Sequence, residues 1–257
     1  MKRQHSTSSR AVPLHQGQHV EVTIDAIAPD GRGTALVADR ALHVAATLPG
    51  DRAWVRVTAI DRQGDRAHGV LVGLTEPGPG RRTPPCRQHE DVRAQGCTGC
   101  AWMAWTPAQQ RVHLRSLLAA HDLHVGTVGW VGDGGTRQDD GACGYRWSAK
   151  RVAFEDATGR FRLGSYRSRS HHGAAMTGCL VDHPALRSAA DEVEGVAQRL
   201  NIRAWRPGRR GSAVGPGLRY VWLKTDGERV LLTLITGGLG EPDVRRLANA
   251  LEVPAGI

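Results

Sequence analysis

Apolar and polar positions alternate strictly near the start of the chain: Val20, Val22, Ile24 and Ala26 are interleaved with Glu21, Thr23 and Asp25. That period of two marks a strand with one buried face. Turn signals follow at Pro29-Asp30-Gly31 and Leu48-Pro49-Gly50-Asp51, and the alternation resumes in Val55, Val57 and Ala59 and again in Val70 and Val72. Several short strands within residues 18–76 predict a small β-barrel. Residues 75–85 (TEPGPGRRTPP) are rich in Pro and Gly and predict a linker, with 77–85 as its centre. Beyond it the periodicity changes. Thr106-Pro107 offers an N-cap followed by proline at the first helical position, and AQQRVHLRSLLAA continues as a helix. A Gly/Asp-rich loop spans 126–141, and paired strands near 150–154 and 160–164 turn through 155–159. A helix over 184–200, strands near 218–224 and 229–235, and a helix over 242–251 complete an α+β region at 86–257.

Composition adds a partner class. The 257 residues carry a formal net charge of +9, so an acidic partner is expected: RNA, DNA or an anionic membrane. Membrane is the weakest of the three, because apolar runs such as 230–235 are far too short to span a bilayer. Residues 1–17 are polar and basic with no apolar core, which predicts a disordered tail on a cytoplasmic protein. Five cysteines, an odd number without a secretory signal, argue for metal ligation or free thiols over a disulfide framework.

Cys86, Cys97 and Cys100 form C-x10-C-x2-C, and Cys179 lies 79 residues further on. A C-x2-C turn lets two thiolates reach one metal centre, and zinc and a [4Fe-4S] cluster both accept four. The stretch PCRQHEDVRAQGCTGCAWMAWTPAQQ resembles the cysteine segment of the RNA (uracil-5-)methyltransferases that carry a [4Fe-4S] cluster. GYRWSAKRVAF at 144–154 is similar to their Tyr-Arg-x-x-x-Lys/Arg strand, and LGSYRSRSHHGAAMTGC at 163–179 to the segment ending in their fourth cluster cysteine. HVAATLPGDRAWVRV resembles the TRAM domain, which implies an OB-like five-stranded barrel at 18–76. The resemblance implies one [4Fe-4S] cluster on Cys86, Cys97, Cys100 and Cys179. The chain departs from the family in one respect: ten residues separate Cys86 from Cys97 where the family usually has five. Cys143 has no family counterpart and reads as a free thiol.

Two surfaces are candidates for RNA. In the barrel, Val55, Val57 and Ala59 take one strand face and leave Arg52, Trp54 and Arg56 on the other, where Trp54 either stacks on a base or packs against the linker or second domain. In the second domain, residues 146–170 hold seven basic residues against two acids. Arg160 and Arg162 share a face that Arg151 can join, and Arg146, Lys150 and Arg167 lie nearby. Clustered like charges across strands are unfavourable without an anion, which suits RNA.

The resembled enzymes attack uracil C6 with a Cys thiolate, pass the methyl group of S-adenosylmethionine to C5 and remove the C5 proton with a carboxylate. Their S-adenosylmethionine site needs a strand, a glycine-rich turn and a helix at the edge of a parallel sheet. LLTLITGGLGEPDVRRLANAL at 231–251 offers strand, glycines and helix but reads as an ordinary connection, and Gly132-Asp133-Gly134-Gly135 reads as a loop. The leading expectation is therefore the RNA-binding, cluster-bearing portion of an rRNA or tRNA methyltransferase. On this expectation S-adenosylmethionine is reached only through a missing or separately encoded catalytic domain, so the chain alone is inactive. A free-standing TRAM/iron–sulfur RNA-binding protein without activity is the alternative, and a small electron-transfer protein a third reading.

Overall fold

The computed structural model describes residues 13–62, 64–90, 96–123, 126, 143–167, 170–206 and 215–252. Expectations for residues 1–12 and for the loop containing Gly132-Asp133-Gly134-Gly135 lie outside these. The chain divides into two compact units, Met1–Thr83 with Ala101–Gln110, and Pro84–Cys100 with Arg111–Ile257. Its architecture is α+β.

In the first unit, β1 (His19–Thr23), β2 (Ala26–Ile27), β3 (Gly33–Val37), β4 (Arg40–Val44), β5 (Arg52–Ile60) and β6 (Arg66–Glu76) form one sheet in the order β1-β5-β6-β4-β3-β2. Its two ends are pieces of a single stretch. Between them, the Ile24 N–H donates to the Asp51 carbonyl at 2.9 Å and the Asp25 N–H to that of Thr34 at 2.8 Å. The same chain segment therefore serves both edges, which removes the unpaired strand edge an open sheet would expose. All pairs are antiparallel except β4 with β6. Alternation in β5 buries Ala53, Val55 and Val57 completely against Leu42, Val44 and Ala67. Each of the larger side chains contributes roughly 1.5–3 kcal/mol by leaving water.

The boundary between the units departs from the sequence expectation of one continuous region at 86–257, because Ala101–Gln110 belongs with the first unit. Ala104 and Trp105 pack on Leu48 and Ile27. The Trp105 indole donates to the Pro79 carbonyl at 3.1 Å, and the Arg82 N–H to that of Ala104 at 2.7 Å. Burying an indole with its N–H satisfied outweighs the chain's sequence order. Helix α1 (Pro107–Ala119) starts here, with the Thr106 hydroxyl accepting from the Gln109 N–H at 3.4 Å as its cap.

The second unit holds an antiparallel sheet of β7 (Ser148–Glu155), β8 (Phe161–Tyr166), β9 (Gly173–Ala175), β10 (Gly217–Thr225) and β11 (Val230–Gly237), in the order β11-β10-β7-β8-β9. Helix α2 (Pro184–Arg199) covers one face, its Leu186, Ala189, Val193, Val196 and Ala197 packing with Ala149, Ala153, Phe161, Leu163, Val221 and Leu223. Pro184 at its first position and the His183 ring, accepting from the Ala185 N–H at 3.3 Å, start the helix. Helix α3 (Glu241–Asn249) adds Leu247 to this core. The other face of the sheet carries side chains that remain exposed, Trp222 among them. No helix among the described residues is long and apolar enough to cross a membrane.

Candidate cysteine cluster and nucleic-acid interface

Short-range backbone pairing folds the cysteine segment. The Cys97 N–H donates to the Gln88 carbonyl at 2.6 Å and the Glu90 N–H to the Cys97 carbonyl at 3.1 Å, while His89 Nε2 lies 2.8 Å from the Cys100 carbonyl. Gly96 is required here, because a Cβ would meet the backbone of Gln88 and His89 at 2.7 Å. Two donors point at the Cys97 sulfur, the Gly99 N–H at 3.4 Å and the Ser165 hydroxyl at 3.6 Å. Cys97 and Cys179 are buried, Cys86 and Cys100 half-buried.

Three of the four thiols act on the fourth. Burial pushes the Cys100 thiol up to about 12, Cys179 adds to that, Arg146 opposes it, and Cys97 and Cys86 contribute further upward pressure. Burial likewise raises Cys179, with Asp182 acting in the same direction. Tyr145 is raised by burial and by Cys100, Cys179 and Cys143, so the fifth thiol lies in the same neighbourhood. Among the described residues, no group of three or more His, Cys, Asp or Glu side chains is assembled as a metal site.

The arginines expected to face RNA fall into different environments. Arg151 is corrected: it is 3% exposed, ion-paired with the buried Asp182 and donating to Met176 Sδ at 3.3 Å. Its odd position in β7 puts it on the face of Ala149 and Ala153, beneath α2, and out of reach of a phosphate. Arg146 also reaches Asp182, at 3.4 Å. Arg160 and Arg162 turn toward α2. Arg160 donates to Gln198 at 2.9 Å, and Arg162 pairs with Glu194 at 2.9 Å. Glu194 is itself held by the Leu163 N–H at 2.8 Å, so the positive charge at Arg162 is balanced within the fold. Arg167 donates to the Gly173 carbonyl at 2.9 Å.

On β5, Arg52, Trp54 and Arg56 are all exposed, and Trp54 is 46% accessible. Arg52 lies 3.4 Å from both Glu21 and Glu76, whereas Arg56 faces His19 and Val70 across the strands. Val70, Val72 and Leu74 on β6 are exposed as well.

Lys150 stands on the open face of the second sheet with neighbours that the charge count missed. Its Nζ lies 4.3 Å from the Tyr220 ring centroid, and the Lys224 Nζ 4.7 Å from that of Trp222. The Arg219 guanidinium lies 4.3 Å from the Trp205 ring and 5.2 Å from the Tyr220 ring. The Trp222 indole donates to the Ser148 hydroxyl at 3.2 Å. A hydrogen bond from Tyr166 holds the Tyr220 phenol below its usual range, with Arg219 and Lys150 acting in the same direction. The signal was present in RYVWLK at 219–224, an alternating strand whose solvent positions are aromatic and cationic.

No family model matches the chain. Its relatives are RNA methyltransferases. An uncharacterised RNA methyltransferase of Nostoc sp. is 29% identical over 239 residues, 91% of this chain and 49% of the relative. The 23S rRNA (uracil(1939)-C(5))-methyltransferase RlmD of Acidithiobacillus ferrooxidans is 34% identical over 120 residues, 47% of this chain and 26% of that protein. In fold, the chain is similar to the Pyrococcus abyssi tRNA (uracil-54, C5)-methyltransferase solved in complex with S-adenosyl-L-homocysteine. The TM-score is 0.59 at 18% identity, covering 91% of this chain and 49% of that one.

The chain spans about half the length of the curated relatives it matches most extensively, 49% in the Nostoc case. These findings correct the expectation of a portion without its catalytic domain. Similarity to RNA methyltransferases runs through 91% of the chain. A separately encoded catalytic partner is likewise not retained.

Proposed function

We propose that this protein is an RNA (uracil-5-)methyltransferase that takes its methyl group from S-adenosylmethionine and acts on rRNA or tRNA. The observation that carries the reading is the similarity to RNA methyltransferases through 91% of the chain. The RlmD relative and the tRNA methyltransferase fold neighbour both support uracil C5 as the acceptor. The strand order of the first unit supports an OB-like TRAM barrel, with β1 and β2 as halves of one bent strand and β4 parallel to β6. A net charge of +9 suits the polyanion. Of the expected contacts, Arg52, Trp54, Arg56, Lys150 and Arg160 remain exposed.

Cys86, Cys97, Cys100 and Cys179 would hold a [4Fe-4S] cluster. The chemistry of the donor set supports this reading, since the Cys179, Cys97 and Cys86 thiols all act on Cys100 and two hydrogen-bond donors point at the Cys97 sulfur. Bound there, the cluster supplies a cross-link between residues 86 and 179 whose binding energy contributes to folding. Anaerobically isolated protein is expected to carry about four irons per chain. Stoichiometric zinc without iron would overturn this assignment, and Cys143→Ser is expected to keep the iron.

The function is tested by incubating the protein with labelled S-adenosylmethionine and unmodified rRNA or tRNA. Labelled 5-methyluridine in one of the two RNAs is expected. Transfer to another base, or transfer to neither RNA, would refute the reading.

A further inference from the structure

We propose that the open face of the second sheet is a stacking platform for unpaired RNA bases, with Trp222 and Tyr220 as the stacking rings and Lys150, Lys224 and Arg219 as phosphate anchors. The proposal rests on the RNA reading above and names a surface which that reading does not require.

Geometry defines the platform. Trp222 sits opposite Lys150 on β7 and Thr233 on β11, and Tyr220 opposite Val152 and Ile235. All point away from the face that α2 covers. Two residues apart on one strand, the rings are separated by roughly 6–7 Å along it, a spacing that accommodates successive splayed nucleotides. Trp222 is 42% exposed although its indole N–H is satisfied by Ser148, so an apolar ring face is left in water while its polar edge is anchored. Next to Val152 the platform continues over Gly164. A Cβ there would meet the Ala174 carbonyl, and one on Gly173 would meet the Phe154 ring, so the strands beside the rings are kept low by steric necessity. The irregular register between Leu218 and Tyr220 turns Arg219 and Tyr220 outward in succession, adding a guanidinium beside the phenol.

Charge selects the occupant. Among the described residues, no carboxylate occupies a strand position on this face of β7 and β10, and no ion pair engages Lys150, Lys224 or Arg219. The cations rest on rings instead. A cation over an exposed ring is held more weakly than a stacked base. An incoming base therefore displaces the ammonium, which is then free to pair with the adjoining phosphate. Protein interfaces are depleted in lysine, and duplex RNA hides its base faces, so an unpaired strand fits this surface best.

The test is fluorescence anisotropy of a labelled unstructured RNA and of the same RNA annealed to its complement, titrated with the intact protein across a salt series. Trp222→Ala is expected to weaken single-strand binding on the order of tenfold with an unchanged salt slope, and Trp222→Phe to restore most of it. Lys150→Ala with Lys224→Ala is expected to lower the log–log salt slope by about 1.4, the value for two phosphate contacts on a single strand. Circular dichroism of each variant should match the parent. A parent that binds the single strand while Trp222→Ala binds it equally well would overturn the platform alone. A parent that binds neither RNA would overturn the RNA reading and the platform together.

Discussion

Arg151 shows what a single residue can hide. The parity of β7 was legible, since Ala149, Arg151 and Ala153 alternate with Lys150 and Val152, and parity alone assigned Arg151 to the core. Its charge argued the other way, and the partner that settles the matter, Asp182, lies on a distant stretch of chain that no local pattern points to. Asp182 is completely buried. Breaking a buried pair leaves the surviving charge uncompensated, so Asp182→Ala is expected to cost about 3–5 kcal/mol. Urea denaturation monitored in the second unit checks this, and a loss below 1 kcal/mol would show the pair is dispensable. Asp51 plays a comparable part in the first unit. Its carboxylate accepts from the Leu48 N–H at 2.6 Å, the Gly78 N–H at 2.8 Å and Arg81 at 2.5 Å. The turn at 48–51 was readable from Pro49-Gly50, but the carboxylate's two distant partners, Gly78 and Arg81, were not. Asp51→Asn removes the charge and one acceptor while keeping the shape, and is expected to destabilise by roughly 2–3 kcal/mol in the same assay.

At the scale of elements, periodicity located most strands and helices, and hydrogen-bond closure set their ends. The helix expected over 184–200 spans Pro184–Arg199, and the strands near 150–154 and 160–164 extend to Ser148–Glu155 and Phe161–Tyr166. The outward row on β5 was legible because Val55, Val57 and Ala59 are uniformly apolar. Trp54 is therefore open to test: Trp54→Ala is expected to lower RNA affinity about tenfold with little change in stability or salt slope. Equal affinity in the variant would leave the barrel face without a role in RNA binding. The β7–β8 turn carries a pH signature. The Thr158 hydroxyl, the backbone N–H groups of Arg160 and Thr158 and the Arg162 charge hold the Asp156 carboxyl below its usual range. A depressed carboxyl stabilises the fold above the unfolded-state value and loses that contribution as pH falls through the folded one. Thr158→Ala should thus reduce the Tm difference between neutral solution and solution acidified below the usual carboxylate range, and an unchanged difference would remove the assignment. The irregularity at Arg219 had no counterpart in a period-two reading, because it breaks that period.

For the whole molecule, charge indicated a polyanion, but counting arginines did not separate the side chains that are paired within the fold from those that are open. Arg151 and Arg162 are neutralised inside the fold, whereas the open cations of the second sheet sit among aromatic rings. Spacing grouped Cys86, Cys97 and Cys100, whereas only the family resemblance joined Cys179, 79 residues further on, to them; in the fold Cys179 acts on the Cys100 thiol. The central claim, methyl transfer to uracil C5, is tested most directly by nucleoside mass spectrometry of rRNA and tRNA from cells with and without the gene. 5-Methyluridine is expected to disappear from one defined position in the deletion strain and to return when the gene is restored. Unchanged 5-methyluridine at every position, or loss of a different modified nucleoside, would contradict it.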